Sequence, residues 1–185
     1  MSHYTLRALL PSDTERVLGW RNSERVRAAM YTDDLITPAQ HEAWLARIAT
    51  DRTIAVRLAE VDGRPLGIVN FKDIDNRLEG CHWGFYVGAQ DAPPGSGSRM
   101  GYVAIAEAFA TLGVEVIRGE AFAFNQKSID MHEKLGFQRQ ETHPEPHMKN
   151  GRLEPIVALR LTRDRWNAVQ PALEKSLFGA LNSHG

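Results

Sequence analysis

Between His82 and Leu112 the chain spells out a strand, a glycine-bearing loop and a helix in direct succession, and this run restricts the fold more than any other feature. Trp83, Phe85 and Val87 alternate with His82, Gly84 and Tyr86, the period of two that gives a strand two unlike faces. The loop Pro93-Pro94-Gly95-Ser96-Gly97-Ser98-Arg99 follows. A helix from about Ser98 to Leu112 then carries Tyr102, Ile105, Ala106, Phe109 and Leu112 on one stripe. A strand from Glu115 to Phe122 comes next, then a helix from Gln126 to Leu135, closed by Gly136 in a position suited to a left-handed C-cap. Strands and helices alternating in this way belong to the α/β class.

The flanks extend the pattern. Tyr4 to Leu9 reads as a first strand stopped at Pro11, and Ser12 is placed to cap a helix running to about Asn22. A second short helix is expected over Glu24 to Met30. Thr37-Pro38-Ala39-Gln40 is a capping box with proline at the first helical position, and its helix puts His41, Trp44, Leu45 and Ile48 on one face. Thr53 to Val61 and Pro65 to Phe71 flank Asp62-Gly63, a two-residue hairpin turn. Asn150-Gly151 turns a last hairpin between about Phe137–Lys149 and Leu153–Leu161, whose first arm Pro144 and Pro146 interrupt with a bulge or an edge. Thr162 caps a terminal helix, and Asn182 to Gly185 is expected to fray. With 185 residues, 43% of them apolar, the chain can bury one core, so residues 1–185 are read as one domain.

Charge and cysteine usage remove several function classes. Twenty-two basic residues face twenty-three acidic ones, a net charge of −1, so no basic field exists to hold nucleic acid or an anionic membrane. The single Cys81 has no internal disulfide partner, C-x-x-C spacing is absent, and no metal site is expected. Met1-Ser2-His3-Tyr4-Thr5 lacks the basic and apolar regions of a secretory signal, and no apolar stretch approaches the roughly 20 residues of a membrane span. These features together fit a soluble, cytoplasmic protein.

Two segments carry chemistry. The glycines of the loop let the backbone approach a ligand and expose N–H groups at a helix N-terminus, an anion site suited to a pyrophosphate, with Arg99 adding a positive charge. It is not a nucleotide P-loop, because no lysine opens the helix. Nor is it a dinucleotide fingerprint, because Met100 stands where the third glycine belongs and Gly101 comes one late. The second segment is Asn125-Gln126-Lys127-Ser128-Ile129-Asp130-Met131-His132-Glu133-Lys134-Leu135-Gly136-Phe137. Ser128, Met131, His132 and Leu135 share a helix face that Asn125 caps, which places an imidazole among apolar side chains. A histidine so placed is either a hydrogen-bonded core residue or a proton donor in a site.

Taken together, the two segments resemble the GNAT family of N-acetyltransferases. Gly95 and Gly97 match the glycines of its phosphate loop. Asn125, Ser128, His132, Lys134, Gly136 and Phe137 match its Asn-x-x-Ala/Ser-x-x-x-Tyr-x-Lys-x-Gly-Phe segment. The resemblance covers nearly the whole chain, with two departures: Ala92 stands where Arg or Gln is usual, and His132 where the tyrosine is. It implies a central, mixed and mostly antiparallel sheet of about seven strands flanked by helices, with acetyl-CoA in the cleft between the fourth and fifth. The pyrophosphate would rest on Gly95, Ser96, Gly97, Ser98, Arg99 and Met100, with Phe85, Val87, Asn125, Ser128, His132 and Lys134 completing the cofactor contacts.

A narrower resemblance follows from Trp20-Arg21-Asn22, Val26-Arg27, Met30, His41, Trp44, Trp83-Gly84-Phe85-Tyr86 and the run Gly95 to Gly101. These look like the flagellar-sugar branch, whose members acetylate the 4-amino group of a UDP-linked 4-amino-4,6-dideoxy sugar on the way to pseudaminic acid. It implies a small nucleotide-linked amine as partner, with Met30 and Tyr31 on the acceptor side and Arg21 and Arg27 for the phosphates. The ribosomal-protein N-terminal acetyltransferases share part of the opening segment, and a non-catalytic CoA-binding module is the third alternative. The resemblance points the Val87 N–H at the thioester carbonyl and makes His132 the acid for the leaving thiolate. Glu79, His82, Tyr86 or a water relay remain open as the base. Cys81 and His82 are neighbours on a strand, so their side chains take opposite faces, which favours direct transfer over an acyl-cysteine. The oligomeric state is left open, a homodimer among the options.

Overall fold

The computed structural model describes residues 2–75, 80–141 and 144–179. The Asp13 carboxylate organises the entry. It accepts from the Arg7 guanidinium at 2.6 Å and from the Leu10 N–H at 2.9 Å, so strand β1 (Tyr4–Arg7) stops short of Leu9. Pro11–Asp13 forms a 3-10 turn, and helix α1 (Thr14–Asn22) starts after it, so the cap expected of Ser12 is not made. Helix α2 (Glu24–Arg27) is capped by Ser23 and ends three residues before Met30. Helix α3 (Pro38–Thr50) opens on the expected capping box, Gln40 N–H to Thr37 Oγ1 at 3.2 Å and Thr37 N–H to Gln40 Oε1 at 2.8 Å. Strands β2 (Ala55–Val61) and β3 (Arg64–Asp75) meet at Asp62 and Gly63, whose φ of 51° and 74° make the tight turn.

Seven strands form one sheet in the order β1-β2-β3-β4-β5-β9-β6, with β4 (Gly80–Val87), β5 (Val116–Phe122), β6 (Gln138–Arg139) and β9 (Ile156–Thr162). Every neighbouring pair is antiparallel except β4 and β5, which are parallel. That pair is joined only through Gly80↔Val116, Cys81↔Ile117 and His82↔Arg118. Beyond those residues the two strands leave the ladder and open a fork in the sheet.

Strand alternation divides the core. Cys81 and Trp83 join Val69, Phe71, Ile117 and Leu161 in the main cluster. It is covered by helices α4 (Ser96–Thr111), α5 (Gln126–Lys134) and α6 (Arg163–Phe178) through Met100, Ile105, Ile129 and Trp166. On the other face Val56, Leu58 and Ile68 pack with Val17 of α1, and Trp44 and Ile48 of α3 lie against them, as the stripe on that helix requires. Gly136 takes φ +98° at the end of α5, the left-handed conformation expected there.

The chain departs from the expected single last hairpin. Asn150-Gly151 does turn a pair of strands, β7 (His147–Lys149) and β8 (Arg152–Glu154), but these make a separate two-stranded sheet. Only β6 and β9 enter the main sheet. Pro144, Pro146 and Pro155 cannot donate to a ladder, so they disconnect the excursion at both ends. Among the described residues no helix is long and apolar enough to cross a membrane. The expected fraying of Asn182 to Gly185 falls outside the described residues.

Candidate functional site

The fork leads into a cavity of about 800 Å³ that reaches both faces of the sheet. One side is backbone. The Gly88 N–H donates to the Leu66 carbonyl at 2.9 Å, toward β3. Alternate residues of a strand turn their peptide groups to opposite edges, so the Val87 N–H faces the unpaired edge of the fork. The Val87 carbonyl on that edge accepts from Arg25 at 2.9 Å. Phe85 has the same parity, so its peptide groups lie on the same open edge.

The N-terminus of α4 stands beside Val87. Gly95 adopts φ +80° as its cap, which brings the loop round with no Cβ in the way. Gly97 and Ser98 occupy the first turn, where an α-helix leaves its N–H groups without intrahelical partners. A Cβ on Gly97 would meet nothing nearer than Val87 Cγ2 at 4.0 Å, so the space between the helix end and the strand is open. These features fit the pyrophosphate and pantetheine of acetyl-CoA. The other loop side chains are committed elsewhere. Ser96 Oγ is buried 3.0 Å from Tyr4 Oη, and Met100 is wholly buried in the main core. Arg99 donates to the Leu177 carbonyl at the end of α6 and to the Pro94 carbonyl, both at 3.0 Å. Arg99 thus ties α4 to α6, at a position where the sequence had suggested a contact with the pyrophosphate.

His132 projects from α5 into an aromatic box of Trp83, Phe85 and Phe137. Asn125 caps the helix as expected, accepting from the Ser128 N–H at 3.2 Å. His132 Nδ1 lies 2.7 Å from the Ser128 carbonyl. A carbonyl only accepts, so Nδ1 carries the proton and the Nε2 of the neutral ring presents a lone pair. Burial pushes the imidazole below its ordinary pKa, although the Ser128 carbonyl opposes that shift. The neutral ring therefore takes a proton before it can give one. Gly119 keeps this place open, since a Cβ there would sit 2.9 Å from Trp83 Nε1 and 3.0 Å from His132 Nε2. Lys134 is exposed near the C-terminal end of α5.

The residues named as bases fare differently. His82 is half exposed, with Nδ1 3.3 Å from Asp73 at the cavity edge. Burial raises the Tyr86 phenol well above its ordinary range, so it keeps its proton and is a donor, not a base. Glu79 lies outside the described residues. Cys81 is buried and its thiol is pushed up to about 11, a poor nucleophile.

On the other side, Met30, Tyr31 and Thr32 wall the cavity, and Tyr31 Oη donates to Glu120 of β5. Glu120 was not singled out in sequence, although Arg118 and Glu120 are two charges in an otherwise apolar strand. Arg21 reaches the cavity and donates from Nη2 to Thr32 Oγ1 at 2.6 Å, while Arg27 does not line it. Arg27 is spent on the carbonyls of Asn22 and Asp33. Among the described residues, four buried side-chain polar atoms lack a hydrogen-bond partner: Arg21 Nη1, His41 Nε2, Asn70 Oδ1 and Trp83 Nε1. All four residues line this cavity. Buried polar groups are normally paired, so their gathering around one cavity singles it out as the candidate place for a polar ligand.

Residues 3–138 match the family model described as an acetyltransferase (GNAT) domain. No curated protein sequence matches the chain at a significant level. Among solved structures, the spermidine N-acetyltransferase of Vibrio cholerae, in complex with CoA and spermine, superposes with a TM-score of 0.83 at 16% identity, over 89% of this chain and 98% of that one. Mutant forms of the spermidine/spermine N-acetyltransferase from the same organism reach 0.78 at 17% identity, over 90% and 98%. An uncharacterized protein from Bacillus halodurans reaches 0.77 at 13% identity, over 96% and 93%. At these identities the likeness is one of fold.

Proposed function

We propose, because the chain belongs to the acetyltransferase (GNAT) domain family, that this acetyl-CoA-dependent N-acetyltransferase acts on the primary amine of a small, anionic and hydroxylated acceptor. The finer reading is the 4-amino group of a UDP-linked 4-amino-4,6-dideoxy sugar. The observation that carries it is the unpaired Arg21 Nη1, a buried guanidinium donor with no carboxylate on it, beside the unmet His41 Nε2 and Asn70 Oδ1. Burial lowers the Arg21 pKa, the mark of a cation short of compensation. A phosphate answers the guanidinium and sugar hydroxyls answer the two acceptors. The same wall carries Met30, Ile36 and Trp44, a surface for a methyl group and a ring face.

A polyamine suits this cavity poorly. Among the described residues, Arg21, Lys72 and Arg118 face it against Asp73 and Glu120, and polycations call for the opposite balance. The acetyltransferase likeness to the Vibrio cholerae enzyme therefore does not extend to its substrate.

Acetyl-CoA supplies the acetyl group as a thioester. The Val87 N–H meets the charge that develops on the carbonyl oxygen as nitrogen attacks. Glu120, oriented by Tyr31, holds the incoming amine. His132 Nε2 receives the proton released as the N–C bond forms and returns it to sulfur as the C–S bond breaks. The test offers the protein acetyl-CoA with the sugar nucleotide, with spermidine and with a ribosomal-protein N-terminal peptide. The reading expects the sugar nucleotide to have the highest kcat/KM. Preference for spermidine or the peptide would overturn the acceptor and leave the acetyltransferase standing.

A further inference from the structure

The β7–β8 hairpin lies outside the residues matched by the family model and outside the main sheet, yet it touches the acceptor wall. Lys149 is the point of contact. Its side chain is almost fully buried, with only 3% of the residue exposed. The ammonium donates to the Arg27 carbonyl at 2.9 Å and the Met30 carbonyl at 2.7 Å, and it pairs with the Asp33 carboxylate. The two carbonyls belong to the end of α2 and the turn after it, and the Arg27 carbonyl, which already accepts from the Met30 N–H at 3.0 Å, gives its second lone pair to the ammonium. A buried ammonium is stable only with such a full set of acceptors. Neighbours reinforce the grip: the Asn150 N–H donates to Asp33 at 3.0 Å, and His147 Nε2–H donates to the Tyr31 carbonyl at 3.2 Å.

That turn carries the parts of the wall that face the acceptor. Tyr31 orients Glu120, and Thr32 holds Arg21. Neither bond survives if the turn shifts by the length of one hydrogen bond. We propose that Lys149 is a positioning residue for the acceptor: its ammonium fixes the turn from Arg27 to Asp33, so the β7–β8 hairpin sets amine specificity without touching the amine. This rests on the cavity being the acceptor site of the proposed reaction. Two facts favour positioning over a general structural role. Among the described residues, the hydrogen-bond and ion-pair partners of the ammonium all lie between Arg27 and Asp33, and that segment contributes no strand to the main sheet, although the ammonium also stands 5.9 Å from the ring centroid of Phe122 on β5.

Lys149→Met keeps the apolar stem and removes the charge. The expected result is a rise of about tenfold or more in KM for the sugar nucleotide, with kcat and the KM for acetyl-CoA within about threefold of the parent. Amide hydrogen exchange should quicken over residues 28–36 and stay unchanged in α4. Asp33→Asn, which keeps the side chain's size and removes its charge, should move both readouts the same way by a smaller factor. A folded Lys149→Met protein with unchanged acceptor KM and unchanged exchange over 28–36 would overturn the proposal. If Lys149→Met does not fold, unchanged values for Asp33→Asn overturn it equally. Should the parent acetylate none of the amines offered, the functional reading fails, and the exchange measurement still decides whether Lys149 holds the turn.

Discussion

The two sides of the candidate site are built on opposite rules. Around the fork, Trp83 stacks on Phe137 with centroids 5.2 Å apart, and Met100, Leu135 and Ile117 are fully buried beneath. The donors offered there are backbone N–H groups of β4 and of α4. Across the sheet, the buried cluster shrinks to Val17, Val56, Leu58 and Ile68, and the wall above it carries Arg21, His41 and Asn70 with atoms unmet. A ligand shared by a whole family is read by backbone and held by packing, which side-chain drift does not disturb. A ligand particular to one chain is read by side chains that remain unsatisfied until it arrives. The difference teaches where to look for specificity: among the unmet polar groups, not in the best-packed ones.

Substitutions on each side should separate the halves, and the largest effect is expected at their junction. His132→Ala removes the only imidazole in the aromatic box, and should slow the chemical step about a hundredfold while leaving acetyl-CoA affinity unchanged. Single-turnover rates beside a binding titration read both quantities. Arg21→Gln should cost about tenfold in kcat/KM for the anionic acceptor, the loss of one charged hydrogen bond, with no change in the KM for acetyl-CoA. An equal loss toward both substrates would break the division. Thr37→Ala removes the capping box of α3 and should lower stability by about 1 kcal/mol, read by denaturant unfolding, with little effect on acetyl-CoA binding.

Acid offers a smaller test that touches both sides at once. Burial depresses the pKa of His132 in one half and of His41 in the other. Below the ordinary histidine value the unfolded chain takes up protons that the folded one refuses. Stability is therefore unaffected by these groups above that value and declines as the pH falls from there toward the depressed folded values. Melting temperatures between pH 7 and 5 should fall, and His41→Gln and His132→Gln should each flatten the slope.

Local features were readable in the chain, and distant ones were not. The capping box at Thr37, the turns at Asp62-Gly63 and Asn150-Gly151, and the left-handed Gly136 depend on neighbours in sequence, and each takes the form expected of it. Ser12 misled because the Asp13 carboxylate, the better acceptor one residue on, was claimed by Arg7 and Leu10. The hairpin at Asn150 was seen, but its detachment from the sheet depended on three prolines acting together. In the site, the loop glycines and the His132 face were legible because their spacing is regular. Asn70, Glu120 and Lys149 were not, because their meaning comes from contacts across the fold. Lys149 meets Met30 from 119 residues away and reads in sequence as an ordinary lysine before a turn.

The claim on which the rest depends is that the fork and the α4 N-terminus hold acetyl-CoA. Calorimetric titration of acetyl-CoA into the parent, Arg21→Gln and Gly97→Trp proteins tests it most directly. The account predicts saturable binding by the parent, equal affinity in Arg21→Gln, and loss of binding in Gly97→Trp, whose side chain would fill the open space beside Val87. No heat of binding in the folded parent, or full affinity in Gly97→Trp, would contradict it.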